Sequence, residues 1–263
     1  MIKRILVPLD SSAHTRAAVD YAARIARENH AILEGIVVIE HFTKGVTEDR
    51  TVGLLEWFAD RCNELGVPHT EAKAEGVPAR EILEEALTYD LIVSGQRTHF
   101  HTRKPGEVGD SLARMLGDTT CPILAVPARP DGSDELPDIN RVLIAYDGSP
   151  NASRALRAFA AMAEALDDPE ITILNTERTE EDGKEIVERA AAYLRSYRFN
   201  RIETRVEPRG RILDLFRAEY RNSCDLVVCG THAKTNSLIT DFFIGGFTLG
   251  LLDDDSTPIL FAH

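Results

Sequence analysis

Chemistry in this sequence concentrates where a run of small and polar residues follows an apolar one. Asp225-Leu226-Val227-Val228-Cys229 reads as a buried strand, and Gly230-Thr231-His232-Ala233-Lys234-Thr235-Asn236-Ser237 leads away from it. A second apolar stretch follows, in which Gly245-Gly246-Phe247-Thr248 opens a helix. A strand, a loop and a helix start in that order put backbone N–H groups at the carboxyl edge of a sheet, where open α/β folds bind anions. Gly245 and Gly246 carry no side chain, so their amides can approach such a group closely, and phosphate suits them. The plainer alternative is an ordinary βα connection. His232 and Lys234 are the cationic groups of this loop, too few for efficient phosphoryl transfer.

The first half carries a counterpart, Gly95-Gln96-Arg97-Thr98 and then Gly109-Asp110-Ser111. Asp110 places a carboxylate where a phosphate would sit, with Arg97, Arg103 and Lys104 to offset one negative charge. Asp10 and Asp147 end matching strands, as ligands or as simple strand terminators. Ser11, Ser12 and Ser149 follow them without the Gly-x-Ser-x-Gly frame of a nucleophile elbow, so they read as helix caps. His99 and His101 flank Phe100 without the further ligands a metal needs, and neither a metal site nor a catalytic group is expected. The segment 238–252 is unusually apolar for a site loop and too short to span a bilayer, and is expected to pack against a neighbour. Asp253-Asp254-Asp255 reads as a solvated turn.

These residues must be positioned by an α/β framework. Short apolar runs alternate with longer amphipathic ones, the pattern of βαβ units on a mostly parallel sheet. The pattern occurs twice. Ile2 to Ser12 aligns with Ile139 to Ser149 at an offset of 137, Asp90 to Gly95 with Asp225 to Gly230 at 135, and Cys121 to Val126 with Thr257 to Ala262 at 136. The expected fold is two similar doubly wound domains, 1–128 and 139–263, each a five-stranded sheet flanked by helices and joined by a turn-rich seam. Strands are predicted near 2–9, 32–39, 68–74, 90–94 and 122–127, with helices near 13–28, 48–65, 79–88 and 109–117. The second copy gives strands near 140–146, 170–176, 201–207, 224–229 and 257–262, and helices near 150–166, 180–197, 210–221 and 246–253.

A net charge of −13, without a dense Lys/Arg cluster, argues against broad nucleic-acid binding. Cys62, Cys121, Cys224 and Cys229 lie in or beside apolar runs, as buried thiols of a reducing compartment do. The chain opens on a strand pattern rather than a signal peptide, and no apolar run is long enough for a membrane span, so a cytoplasmic protein is expected.

A strand ending in Asp-x-Ser, a Gly-x-His-x-Lys-x-Asn loop, a glycine-start helix and a final Pro-Ile-Leu strand together resemble the universal stress protein family, twice over, as a tandem member. The resemblance implies a stress-response or signalling protein that binds an adenine nucleotide, ATP or AMP with Mg²⁺ as an optional companion. It implies contacts from Ala145, Tyr146, Asp147 and Thr176, from Cys229, Gly230, His232 and Ala233, and from Gly245, Gly246, Phe247 and Thr248. Asp10, Val37, Gly95, Gly109 and Ser111 form the weaker counterpart. Ala233 departs from the family's second glycine, and eleven residues rather than nine precede Gly245; Gly246 stands where the family has Ser or Thr, with Thr248 keeping a hydroxyl one turn in. The family also implies pairing through the fifth strand, hence pairing of the two domains and a homodimer as a further option. The alternatives are a slow ATPase, and a module that binds a hydrophobic ligand or protein without nucleotide.

Overall fold

The computed structural model describes residues 1–39, 48–97, 110–128, 138–176, 179–208, 211–231 and 246–263. The chain divides into two compact units, Met1–Leu136 and Pro137–His263. Unit 1 runs β1 (Arg4–Pro8), α1 (Ala13–Asn29), β2 (Ile32–Ile39), α2 (Glu48–Leu65), β3 (His69–Glu75), α3 (Pro78–Glu85), β4 (Leu91–Gly95), α4 (Asp110–Asp118) and β5 (Ile123–Val126). Its strands pair in parallel in the order β3-β2-β1-β4-β5. Unit 2 runs β6 (Arg141–Ala145), α5 (Pro150–Met162), β7 (Glu170–Asn175), α6 (Glu180–Ser196), β8 (Ile202–Val206), α7 (Ile212–Leu215), β9 (Leu226–Gly230), α8 (Gly246–Asp254) and β10 (Ile259–Ala262). Its order is β8-β7-β6-β9-β10, again parallel.

Helices cover both faces of such a sheet, so its inner strands are apolar without alternation. Ile5, Leu6 and Val7 of β1, Leu91, Ile92 and Val93 of β4, and Val142 to Ile144 of β6 are all buried. The outer strands β3 and β8 are richer in polar residues and are only partly buried. A carboxylate pins the start of each central strand. Asp90 Oδ2 accepts the Lys3 and Arg4 amides at 2.7 and 3.0 Å. Asp225 Oδ2 does the same for Asn140 and Arg141 at 3.1 and 2.8 Å.

Three sequence expectations are adjusted. The helix predicted over 210–221 is α7 followed by a π-turn at Phe216–Tyr220, closed by Arg221 N to Phe216 O at 2.8 Å, which leaves Phe216 buried. The helix predicted over 150–166 ends at Met162 in a 3-10 turn, Ala163–Ala165. Asp254 is no solvated turn residue, because Arg221 Nε reaches its Oδ1 at 2.7 Å and its side chain is 6% exposed. All four cysteines are free and buried. Among the described residues no helix is long and apolar enough to cross a membrane.

Candidate functional site

In a sheet of order 3-2-1-4-5 the connections leave β1 and β4 in opposite directions, which opens a crevice at their carboxyl ends. In unit 2 the corresponding strands are β6 and β9. The chain leaves β6 through Tyr146-Asp147-Gly148-Ser149 and enters α5 with Pro150 in its first turn. Ser149 Oγ caps the helix by accepting the Ala152 amide at 3.1 Å, and Asp147 Oδ1 accepts the Ser149 amide at 2.9 Å. Gly148 takes the left-handed φ of +74° that this tight entry requires.

Unit 1 repeats the device with one difference. Asp10 Oδ1 accepts the Ser12 amide at 2.8 Å, and Ser12 Oγ accepts the Thr15 amide at 3.2 Å. Thr15 Oγ1 also donates to the same Asp10 Oδ1, at 2.5 Å. Its counterpart at the repeat offset is Ala152, which has no hydroxyl. Asp10 is therefore buried against its own helix, at 7% exposure, whereas Asp147 is half-buried and lines a crevice.

That crevice, about 130 Å³, brings together Ala145, Tyr146, Asp147, Thr176, Cys229, Gly230, Gly246, Phe247 and Thr248. Ala152 and Ile212 complete the wall. Neither was singled out from the sequence. Ala152 stands in plain view as the residue facing Thr15 across the repeat, while Ile212 reaches the site only through the packing of α7. Tyr146 is fixed at both ends: its carbonyl accepts Asn175 Nδ2 at 2.8 Å, and its hydroxyl lies 3.0 Å from Ser153 Oγ. Desolvation pushes the buried Cys229 thiol well above its ordinary range, so the crevice floor is neutral there.

The glycines divide into two kinds. Gly230 is needed by the protein itself, since a Cβ there would stand 2.7 Å from Ala152 N and 2.8 Å from Asn151 C in the first turn of α5. Gly95 has the same task in unit 1, with His14 Cβ at 2.5 Å. Gly246, exposed at the first residue of α8, would meet nothing within 4 Å. A helix start with open space before it is a place where an anion can be held by amides and the helix dipole. The Thr248 hydroxyl is already engaged: it is buried and donates to Thr231 O at 3.1 Å, fastening α8 to the end of β9. Thr231 Oγ1 in turn meets His263 Nδ1 at 3.0 Å.

His232, Ala233, Gly245 and Gly109 lie outside the described residues, as do His99, His101 and Lys234; the side chain of Ser111 does as well. Val37 is buried in β2. Leu9 N bonds Ile36 O and Tyr146 N bonds Leu174 O, each at the end of its central strand. Val37 thus corresponds to Asn175, and Val38 to the crevice residue Thr176.

The universal stress protein family model matches residues 1–127. Universal stress protein A homolog 1 of Coxiella burnetii is 30% identical over 139 residues, which cover 95% of that protein and 47% of this chain. The chain belongs to the universal stress protein family. A universal stress protein of Synechocystis is 23% identical over 232 residues, 87% of this chain and 77% of its own length. The fold is shared with a universal stress protein of Archaeoglobus fulgidus, at a TM-score of 0.71 and 16% identity over 98% of this chain and 95% of that one. At 263 residues the chain is about twice the length of a single universal stress protein domain such as the Coxiella one.

Proposed function

We propose that the chain is a tandem universal stress protein, with domains at 1–128 and 139–263, that holds one adenine nucleotide, ATP or AMP, in the crevice of unit 2. In this reading nucleotide occupancy is signalled to a partner or to another copy of the chain. The observation that carries the reading is the contrast between the two first-strand aspartates: Asp147 lines an open crevice, while Asp10 is consumed by Thr15. The crevice of about 130 Å³ would enclose only part of the nucleotide: the exposed start of α8 at Gly246 would receive phosphate, Asp147 a ribose hydroxyl, and the walls at Tyr146, Ile212 and Phe247 the base. A magnesium ion, where present, would be carried by the phosphates.

Calorimetric titration of the full chain with ATP tests this. One nucleotide per chain is expected, weakened by about 1–3 kcal/mol in Asp147→Ala, the worth of a charge-assisted hydrogen bond. Gly246→Asp should abolish binding by putting a carboxylate in the phosphate place, and should leave the fold intact because that position faces open space. A stoichiometry of two would mean that both units bind nucleotide, and binding that survives Gly246→Asp would point to unit 1; either outcome refutes a single site in unit 2.

A further inference from the structure

Unit 1 has a groove at a place where unit 2 carries an ion pair. Four residues before the aspartate that pins each central strand, unit 2 has Arg221 and unit 1 has Ala86. Four residues before the proline leading into each last strand, unit 2 has Asp254 and unit 1 has Asp118. In unit 2 the two meet as an ion pair at 2.7 Å that buries the carboxylate. Unit 1 keeps the acid, lacks the base, and has there a groove of about 390 Å³ between α3 and α4. That is the size of a small-ligand site, which typically takes about 300–1,000 Å³.

The groove's walls say what would enter. Val77, Leu83, Ala86 and Leu87 give it an apolar floor, and Val77 and Leu87 are 52% and 73% exposed, unusual for side chains of that size. On the α4 side stand Arg114 and Asp118, one helical turn apart, and among the described residues neither has an ion-pair partner. Unit 2 has Gly250 where unit 1 has Arg114, so the cation is peculiar to the open groove. The other two charged residues, Arg80 and Glu84, neutralise each other at 2.8 Å.

We propose that this groove is a second ligand site, for a small zwitterion with an aliphatic body: a free amino acid of the leucine type. Its ammonium would meet Asp118, its carboxylate the Arg114 guanidinium, and its side chain the floor made by Val77, Leu83 and Leu87. Residues i and i+4 of a helix hold their Cβ atoms roughly 5–6 Å apart, a span that adjoining ammonium and carboxylate groups can bridge. The assignment is independent of the crevice in unit 2.

The test is calorimetry and amide NMR shift mapping on the full chain with L-leucine, isopentylamine and 4-methylpentanoate as probes. L-Leucine should bind with shifts confined to α3 and α4, and each single-ended analogue should bind about tenfold more weakly, the loss expected for one charge-assisted contact. Asp118→Asn and Arg114→Gln, both at exposed positions, should each weaken leucine by a similar factor. Ala86→Arg, which installs the counterpart of unit 2's ion-pair partner beside Asp118, should abolish it. Absence of saturable leucine binding in the millimolar range, equal binding of leucine and 4-methylpentanoate, or leucine affinity unchanged in the two exposed variants would overturn the proposal.

Discussion

Gly230→Ala should destabilise unit 2 through packing alone, with or without a bound ligand. A Cβ at this position would lie 2.7 Å from Ala152 N and 2.8 Å from Asn151 C, both backbone atoms that no rotamer change can move, whereas ordinary contact begins at 3.4 Å. The first turn of α5 must therefore withdraw by about 0.7 Å from a tightly packed strand end. That turn carries the Ala152 amide, which bonds Ser149 Oγ at 3.1 Å, so withdrawal also costs the helix its cap. Overpacking contributes about 1–3 kcal/mol and the cap about 1 kcal/mol, offset by about 0.4–1 kcal/mol from the less flexible unfolded chain. The net is about 1–4 kcal/mol, or a fall in melting temperature on the order of 10 °C. Urea unfolding followed by far-UV circular dichroism measures it. The single tryptophan, Trp57, sits in α2, so its fluorescence follows unit 1 and should respond instead to Gly95→Ala. Gly246→Ala is the control, neutral or more stable by up to about 1 kcal/mol, since a helical glycine gains on becoming alanine where space is open. A Gly230→Ala protein that unfolds within about 0.5 kcal/mol of its parent would refute the argument that this glycine serves packing.

Ala152→Thr copies the Thr15 hydroxyl onto Asp147, and titration calorimetry should find ATP binding about tenfold weaker with the fold unchanged. Arg221→Met leaves Asp254 buried without its cation, and urea denaturation should show unit 2 less stable by about 1–3 kcal/mol. The thiols give a pH dependence. Burial pushes Cys62, Cys121 and Cys224 up to about 12 from an ordinary 9. The unfolded chain therefore releases these protons first, and stability contributed by the neutral thiols is complete below pH 9 and lost as pH rises from there toward 12. Denaturation curves recorded across the alkaline range should show that decline, and each Cys→Ala variant should reduce its slope.

Most of the fold was legible because each signal was local. The uninterrupted apolar runs of β1, β4, β6 and β9 could only be strands buried on both faces, and Ser149-Pro150 announced the start of α5 in two residues. The site was less legible because its meaning depends on residues distant in the chain. Gly230 looked like a glycine kept for a ligand, and its packing against Asn151 is visible only once β9 lies beside α5. The difference between Thr15 and Ala152 is present in the sequence at the repeat offset, yet a threonine in the first turn of a helix says nothing until its hydroxyl is seen on Asp10. Thr248 promised a donor to a ligand; the carbonyl that takes its proton belongs to Thr231, on the strand before the loop. Asp254 read as solvated because Arg221 lies 33 residues earlier, beyond the reach of any periodicity.

The aspartate clamps on β1 and β6 also set a timetable for synthesis. Asp90 lies 87 and 86 residues beyond the amides it holds, and Asp225 lies 85 and 84 beyond its own. The strand at the centre of each sheet is thus made first and secured late. β2 can pair along one side soon after, but the other side waits for β4, roughly 4–17 s at ordinary elongation rates of about 5–20 residues per second. During that interval Ile5, Leu6 and Val7 present an apolar edge beside a ribosome that is still supplying chain, and the same exposure recurs with Val142 to Ile144 when unit 2 is made. Contacts of this separation also slow refolding of the finished chain, because the loop must close before the pairing rewards it. The chain therefore asks its cell for two periods of protection, one at β1 and one at β6, before any stress arrives.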